Sequence, residues 1–203
     1  MDANTSLFLT INDFARATPW LNGTLTVYAN DGIVLFAVLL VVGWWLARRD
    51  NDPARMAAAL WAPLGMLLAV AVNQPLVAAF NGARPYATLQ GILVLATPTT
   101  DPSFPSDHSM MAGAVAAGLF LVSRRLGIVA AVAAVLMAFS RVYIAAHYPL
   151  DVVVGLVLGA AISLAGYLVV RRLLLRIVMA AEGTRLRPLL AASPVPQPNP
   201  SVG

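Results

Sequence analysis

This chain of 203 residues has only two histidines, and each sits beside ionisable partners. His108 follows Ser106 and Asp107 in SFPSDHS. His147 comes six residues after Arg141 and four before Asp151 in SRVYIAAHYPLD. Arg84 opens RPY, two residues ahead of Tyr86. A histidine can attack phosphorus when a carboxylate holds its ring in the right tautomer. One helical turn separates His147 from Asp151, which suits that pairing. A second histidine, His108, can then protonate the departing oxygen. Two guanidinium groups, Arg84 and Arg141, suit an anion with several oxygens, because each can bond to it in bidentate fashion. Ser106 stands where it could cap a following helix, and a helix N-terminus also favours phosphate. The sum is phosphoryl transfer through a phosphohistidine. Arginine supplies the charge stabilisation that a metal supplies elsewhere, so no metal and no cofactor is expected.

Such groups act together only if the fold delivers them to one place. Hydrophobic residues make up 60% of the chain and charged residues 11%, with mean hydropathy +0.79. A soluble domain carries about 25% charged residues. The deficit points to an all-α integral membrane bundle. Five apolar runs are each near the ~20 residues needed to cross the hydrocarbon core. They run from about Gly32 to Ala47, Met56 to Phe80, His108 to Ser123, Leu126 to Ile144 and Leu150 to Val170. Leu7, Phe8, Ile11, Phe14 and Ala15 share one face of an N-terminal amphipathic helix, expected at the membrane interface. GILVLATP, from Gly91 to Pro98, is too short to span and reads as a surface segment or lid. Residues 1–180 read as one membrane domain, and the proline-rich tail 181–203 as disordered.

Arginine sets the orientation. Arg48, Arg49 and Arg55 lie between runs one and two, and Arg124 and Arg125 between runs three and four. Arg171, Arg172, Arg176, Arg185 and Arg187 follow run five. The positive-inside rule makes that side cytoplasmic. The N-terminus, Arg84, Ser106, Asp107, His108, Arg141, His147 and Asp151 then share the outer face, and the C-terminus lies inside. Ionisable groups at membrane depth are functional candidates. The pI near 10.1 does not imply nucleic acid, since the cations flank apolar runs. The chain has no cysteine, which excludes disulfides and thiolate metal sites.

Ser140, Arg141, His147 and Asp151 in SR-x5-H-x3-D, and Pro105, Ser106 and His108 in PS-x-H, resemble two signatures of the type 2 phosphatidic acid phosphatase superfamily. Arg84 and Pro85 resemble the end of its first signature, and the likeness covers about residues 72–158. It implies His147 as nucleophile, Asp151 as its orienting group and His108 as general acid, with Arg84, Arg141 and Ser106 holding phosphate. Two positions depart from the family. Val77 stands where lysine is usual, and the chain has no lysine, so Asn73 and Gln74 are the polar candidates nearby. Asp107 stands where glycine is usual. Both departures are similar to the bacitracin-resistance subgroup of undecaprenyl-diphosphate phosphatases. That likeness implies hydrolysis of undecaprenyl diphosphate to the monophosphate on the outer leaflet of a bacterial cell membrane, recycling the peptidoglycan carrier.

Other readings stay open at this point. The same motifs would serve phosphatidylglycerophosphate, phosphatidate or another polyprenyl phosphate, because lipid choice depends on the groove. A transporter or channel would need polar groups within several spans, whereas AVAAVLMAF and VVVGLVLGAAISLAG carry almost none. Ser106 and Asp107 could act only as helix caps, and Arg84 as a headgroup anchor. Tyr86, Tyr143 and Tyr148 fit an aromatic belt, with Tyr86 and Tyr148 also placed to touch substrate. Gly155 and Gly159 form a GxxxG that serves either packing within the bundle or a homodimer face. The partners expected are a polyprenyl diphosphate and membrane lipids.

Overall fold

The computed structural model describes residues 2–192, which are all helix and connection. α1 (Ala3–Ala17) starts at Asp2, whose carboxylate accepts the Thr5 N–H at 2.9 Å. Pro19 opens α2 (Pro19–Asp31), which meets α3 (Ile33–Asp50) at a bend of 56°. Asp52 caps α4 (Pro53–Phe80) by accepting the Ala54 N–H at 2.8 Å. Asn81 ends α4 in the left-handed region, at φ 43°. A short α5 (Pro85–Thr88) precedes an irregular strap, residues 89–106. Then come α6 (Asp107–Val122), α7 (Arg124–Tyr143), α8 (Pro149–Glu182) and α9 (Arg187–Leu190).

The five apolar runs correspond to α3, α4, α6, α7 and α8. α4, α7 and α8 are each long and apolar enough to cross a membrane, and α2 with α3 qualifies as one bent span. Val129, Val132, Val135 and Leu136 of α7 stay exposed, as do Val153, Val157, Leu164 and Leu168 of α8. Apolar faces of this extent suit lipid rather than water. α6 differs. Its 16 residues rise only about 24 Å, less than the ~30 Å hydrocarbon core. It is the central helix, packed against α4, α7 and α8, and every residue from Ser109 to Leu119 is buried. Protein rather than lipid surrounds it, so its length need not match the bilayer.

Gly155 and Gly159 are spent inside the bundle. A Cβ on Gly159 would overlap the Met110 carbonyl oxygen of α6, and one on Gly155 would come 2.7 Å from the Ser106 carbonyl oxygen. Backbone thus meets backbone where α8 crosses the start of α6. Gly159→Val is expected to cost about 1–3 kcal/mol through overpacking. A thermal melt in detergent checks this, and an unchanged midpoint would mean that the crossing is loose.

The expected N-terminal helix is α1, which packs against α7 and α8 with Phe8 buried against Ala138, Val142 and Val152. Two features depart from the sequence-based expectation. Tyr143 belongs to the interior, not to an aromatic belt, and its hydroxyl donates to Asn22 Oδ1 of α2 at 2.7 Å. The first part of the tail is structured: Trp44 Nε1 donates to the Leu189 carbonyl at 3.0 Å, and Ala192 N to Arg48 O at 3.1 Å. Residues 193–203, the rest of the segment expected to be disordered, lie outside those described.

Candidate functional site

Three connections meet at the end of the bundle opposite the arginine clusters. After α4, the left-handed Asn81 turns the chain and Arg84 follows at the start of α5. Its Nε donates to the Asp101 carbonyl at 2.9 Å, and its Nη1 to the Ala146 carbonyl at 3.0 Å. Arg84 therefore ties the strap to the α7–α8 turn. The strap is held elsewhere too. Asn12 of α1 donates to Leu93 O at 2.7 Å and accepts the Leu93 N–H at 2.9 Å. The Ile144 carbonyl accepts the Ala96 N–H at 2.9 Å. The segment read as a surface piece or lid is thus an anchored cover.

The α7–α8 turn carries His147. Ala145 sits there at φ 64°, a left-handed conformation that costs a residue with a Cβ about 1–2 kcal/mol. The turn closes over α7, with Ala146 N donating to Arg141 O at 3.0 Å. Backbone strain of this kind persists only where the surroundings enforce it, and such places cluster at functional sites. Asp151 lies in the first turn of α8 and accepts the Tyr148 N–H at 2.9 Å, so it also caps that helix.

His147 is 3% exposed. Its Nδ1 lies 2.8 Å from the Ser103 carbonyl oxygen, so Nδ1 carries the proton and Nε2 keeps a lone pair. Nε2 is 3.4 Å from Arg84 Nη1. Asp151 Oδ2 is 3.7 Å from Nδ1, too far for a good hydrogen bond. Ser103 stands between them, its Oγ 3.2 Å from Nδ1 and donating to Asp151 Oδ2. The spacing thus brings Asp151 within ion-pair distance of His147, and Ser103, which sequence reasoning missed, contacts both. Burial holds the His147 pKa below its usual value, Arg141 and Arg84 lower it further, and Asp151 opposes them.

A cavity of about 770 Å³ opens over this ring, within the range of small-ligand sites. His108, Arg84, Arg141, His147, Gln74 and Asp107 all line it. Arg141 is buried, with Nη1 donating to the Ala29 carbonyl at 3.2 Å and Nε left without a partner. Ser106 is the N-cap of α6 by position, yet its buried hydroxyl makes no capping bond and has no partner. Ser106 itself is not part of the cavity lining, although its neighbours Pro105, Asp107 and His108 are. Unsatisfied buried donors beside a cavity fit an oxyanion.

Of the two polar candidates near Val77, Gln74 lines the cavity and Asn73 does not. Asn73 Nδ2 donates to Asp107 Oδ1 at 2.6 Å and to the Pro105 carbonyl at 3.2 Å, and Gln74 Nε2 reaches the same Asp107 oxygen at 3.4 Å. These amides fasten Asp107 and the start of α6. Val77 itself lines the cavity. Tyr86 lies outside the cavity lining and holds the strap, accepting the Thr99 N–H at 3.0 Å. Tyr148 hydrogen-bonds Thr88 through its hydroxyl, at 2.7 Å.

Two histidines and two arginines line a cavity at one end of an apolar helical bundle, the arrangement expected of a phosphatase built into a membrane. Comparison with known proteins agrees. Residues 58–174 match the model of the PAP2 superfamily. A Bacillus licheniformis protein, bacitracin transport permease protein BcrC, is 28% identical over 80% of this chain and 78% of its own length. The putative undecaprenyl-diphosphatase YbjG of Escherichia coli is 34% identical over 77% of each chain. The crystal structure of a transmembrane PAP2-type phosphatidylglycerolphosphate phosphatase from Bacillus subtilis superposes with a TM-score of 0.62 at 26% identity, covering 81% of this chain and 85% of that one. The chain belongs to the PAP2 superfamily and is a multi-pass membrane lipid phosphatase.

Proposed function

We propose that this protein hydrolyses undecaprenyl diphosphate to undecaprenyl phosphate and inorganic phosphate, on the outer leaflet of a bacterial cell membrane. His147 Nε2 attacks the terminal phosphorus, and the bond to the bridging oxygen breaks. His108 gives that oxygen its proton as the lipid monophosphate leaves. Water then attacks the phosphohistidine, returning a proton to His108 and the electron pair to Nε2. Arg84, Arg141 and Ser106 hold the phosphoryl oxygens, and no step calls on a metal.

The observation that carries this reading is His147, its Nε2 3.4 Å from Arg84 Nη1, lining a cavity together with Arg84, Arg141 and His108. A lipid substrate is supported by the wall between α2 and α4. Asn30, Val77 and Ala78 line it, and Val72 and Phe80 are exposed on the same helix α4. An apolar chain anchored at the phosphate can follow this wall into the bilayer. A diphosphate is supported by the name of the Escherichia coli relative, and by Val77 and Asp107, which resemble the undecaprenyl-diphosphate subgroup. The arginine clusters at the opposite end support an outward-facing site.

The solved Bacillus subtilis relative, titled a phosphatidylglycerolphosphate phosphatase, favours a glycerolipid phosphate as the second reading. Phosphate release by the purified protein decides between them, measured with chelator present on undecaprenyl diphosphate, phosphatidylglycerophosphate and phosphatidate. The expected result is kcat/KM at least about tenfold higher for the polyprenyl diphosphate, as a difference of ~1.4 kcal/mol in transition-state binding would give. A preference for either glycerolipid overturns the substrate assignment.

A further inference from the structure

Asp151 is spaced to bond His147 directly, yet the two groups are 3.7 Å apart and share Ser103 as a neighbour. Ser103 is 1% exposed and lies 44 residues upstream of His147, in the strap. It meets the ring with two atoms. Its carbonyl oxygen is 2.8 Å from Nδ1, a good distance for accepting the Nδ1–H. Its hydroxyl is 3.2 Å from Nδ1 and donates to Asp151 Oδ2. That same carboxylate oxygen also accepts the Tyr148 N–H, so Asp151 is held in place from two sides.

We propose that Ser103 is a positioning residue for phosphoryl transfer, through which Asp151 acts on His147. The proposal rests on His147 being the nucleophile. When Nε2 bonds phosphorus, the ring keeps its Nδ1 proton and becomes a cation. The Ser103 carbonyl accepts that proton's hydrogen bond throughout. The Ser103 hydroxyl keeps the Asp151 charge at a fixed distance behind the ring, where it stabilises the cation without withdrawing the Nδ1 proton. Arg84, Arg141, His108 and the carboxylates Asp101 and Asp107 line the cavity with the ring, and Asp151 is the carboxylate beside Nδ1, at 3.7 Å. Without the hydroxyl, Asp151 loses a hydrogen bond and is free to close on Nδ1. A direct carboxylate contact favours the protonated ring.

Ser103→Ala leaves the carbonyl and removes only the hydroxyl. It is expected to lower kcat about tenfold or more, with KM within about threefold. The acid limb of kcat/KM should move up by roughly half a pH unit or more. Asp151→Asn supplies a double-mutant cycle. If Ser103 acts through Asp151, adding Ser103→Ala to Asp151→Asn costs little further activity. Ser103→Cys, nearly the same size and a weaker donor, should fall between Ser and Ala, and it keeps the test open if the alanine variant does not fold. Unchanged kcat and pH profile in the folded variant, or multiplicative losses in the cycle, overturn the proposal. Trapping with substrate labelled in the terminal phosphate, quenched in alkaline detergent because the N–P bond of phosphohistidine is acid-labile, separates this from failure of the nucleophile itself. Label absent from wild-type His147 removes the nucleophile assignment. Label on His147 with an unaffected Ser103 variant removes only the role of Ser103.

Discussion

Purified His147→Ala protein is expected to release phosphate more than about a thousandfold more slowly than the native chain, while still folding and inserting into membranes. The size of the effect follows from the geometry. Nε2 carries the lone pair, 3.4 Å from Arg84 Nη1, on a ring that lines the cavity, with Nδ1 committed to Ser103. The neighbouring His108 cannot take over, because it belongs to α6 and is proposed to serve as the acid. Removing the ring also leaves the Ser103 carbonyl without the Nδ1–H it accepts, a loss of about 1–3 kcal/mol if water does not replace it. Membrane extraction and a monodisperse size-exclusion peak establish that the variant is folded. Substantial remaining turnover would take His147 out of the nucleophile's role.

The same ring sets a pH dependence. Attack needs neutral imidazole, and burial with two nearby arginines holds the His147 pKa below the ordinary value near 6.5. As pH falls from 7, the nucleophile therefore remains unprotonated below 6.5. The acid limb of kcat/KM, which reports the free enzyme, should lie below that value. A limb at or above 6.5 would mean that another group governs it.

Local spacing carried most of the site into the sequence. Arg141, His147 and Asp151 fall within eleven residues, and Ser106 and His108 within three, so each signature survives as a pattern of side chains. Arginine placement then assigned the signatures to one end of the bundle before any helix was positioned. What escaped notice shares a physical cause. Ser103 grips His147 chiefly through a backbone carbonyl, and a carbonyl leaves no trace in residue type. Asn12 meets Leu93 across 81 residues, again through backbone groups. Tyr143 has the look of a belt aromatic because its partner, Asn22, sits on α2, a helix with too little apolar periodicity to stand out. The tail misled in the opposite direction: its prolines and polar residues suggest disorder, yet the part up to Ala192 hydrogen-bonds to the end of α3. The role of Asp107 was equally unreadable, since its partners Asn73 and Gln74 lie 34 and 33 residues upstream on α4.

The two arginines should fail in different ways, and Arg141→Ala is expected to be the cleaner loss. Arg141 is 8% exposed, donates from Nη1 to the Ala29 carbonyl, and leaves its Nε unsatisfied. A buried guanidinium with spare donors is costly to the empty protein and rewarding once an oxyanion arrives. Its removal should lower kcat/KM about 10²–10³-fold, the scale found when one preorganised donor to a developing oxyanion is deleted. The thermal midpoint without ligand should hold or rise, because an underpaired buried charge has gone. Arg141→Lys should recover little activity, since an ammonium lacks the planar fork. Arg84 is committed to the Asp101 and Ala146 carbonyls and joins the strap to the turn that carries His147. Arg84→Ala should therefore lose stability together with activity. Added inorganic phosphate should raise the melting midpoint of the native protein by linkage, and should do so far less for Arg141→Ala. If Arg141→Ala keeps activity within about threefold, or melts lower by as much as Arg84→Ala does, Arg141 is a structural residue and phosphate is held elsewhere.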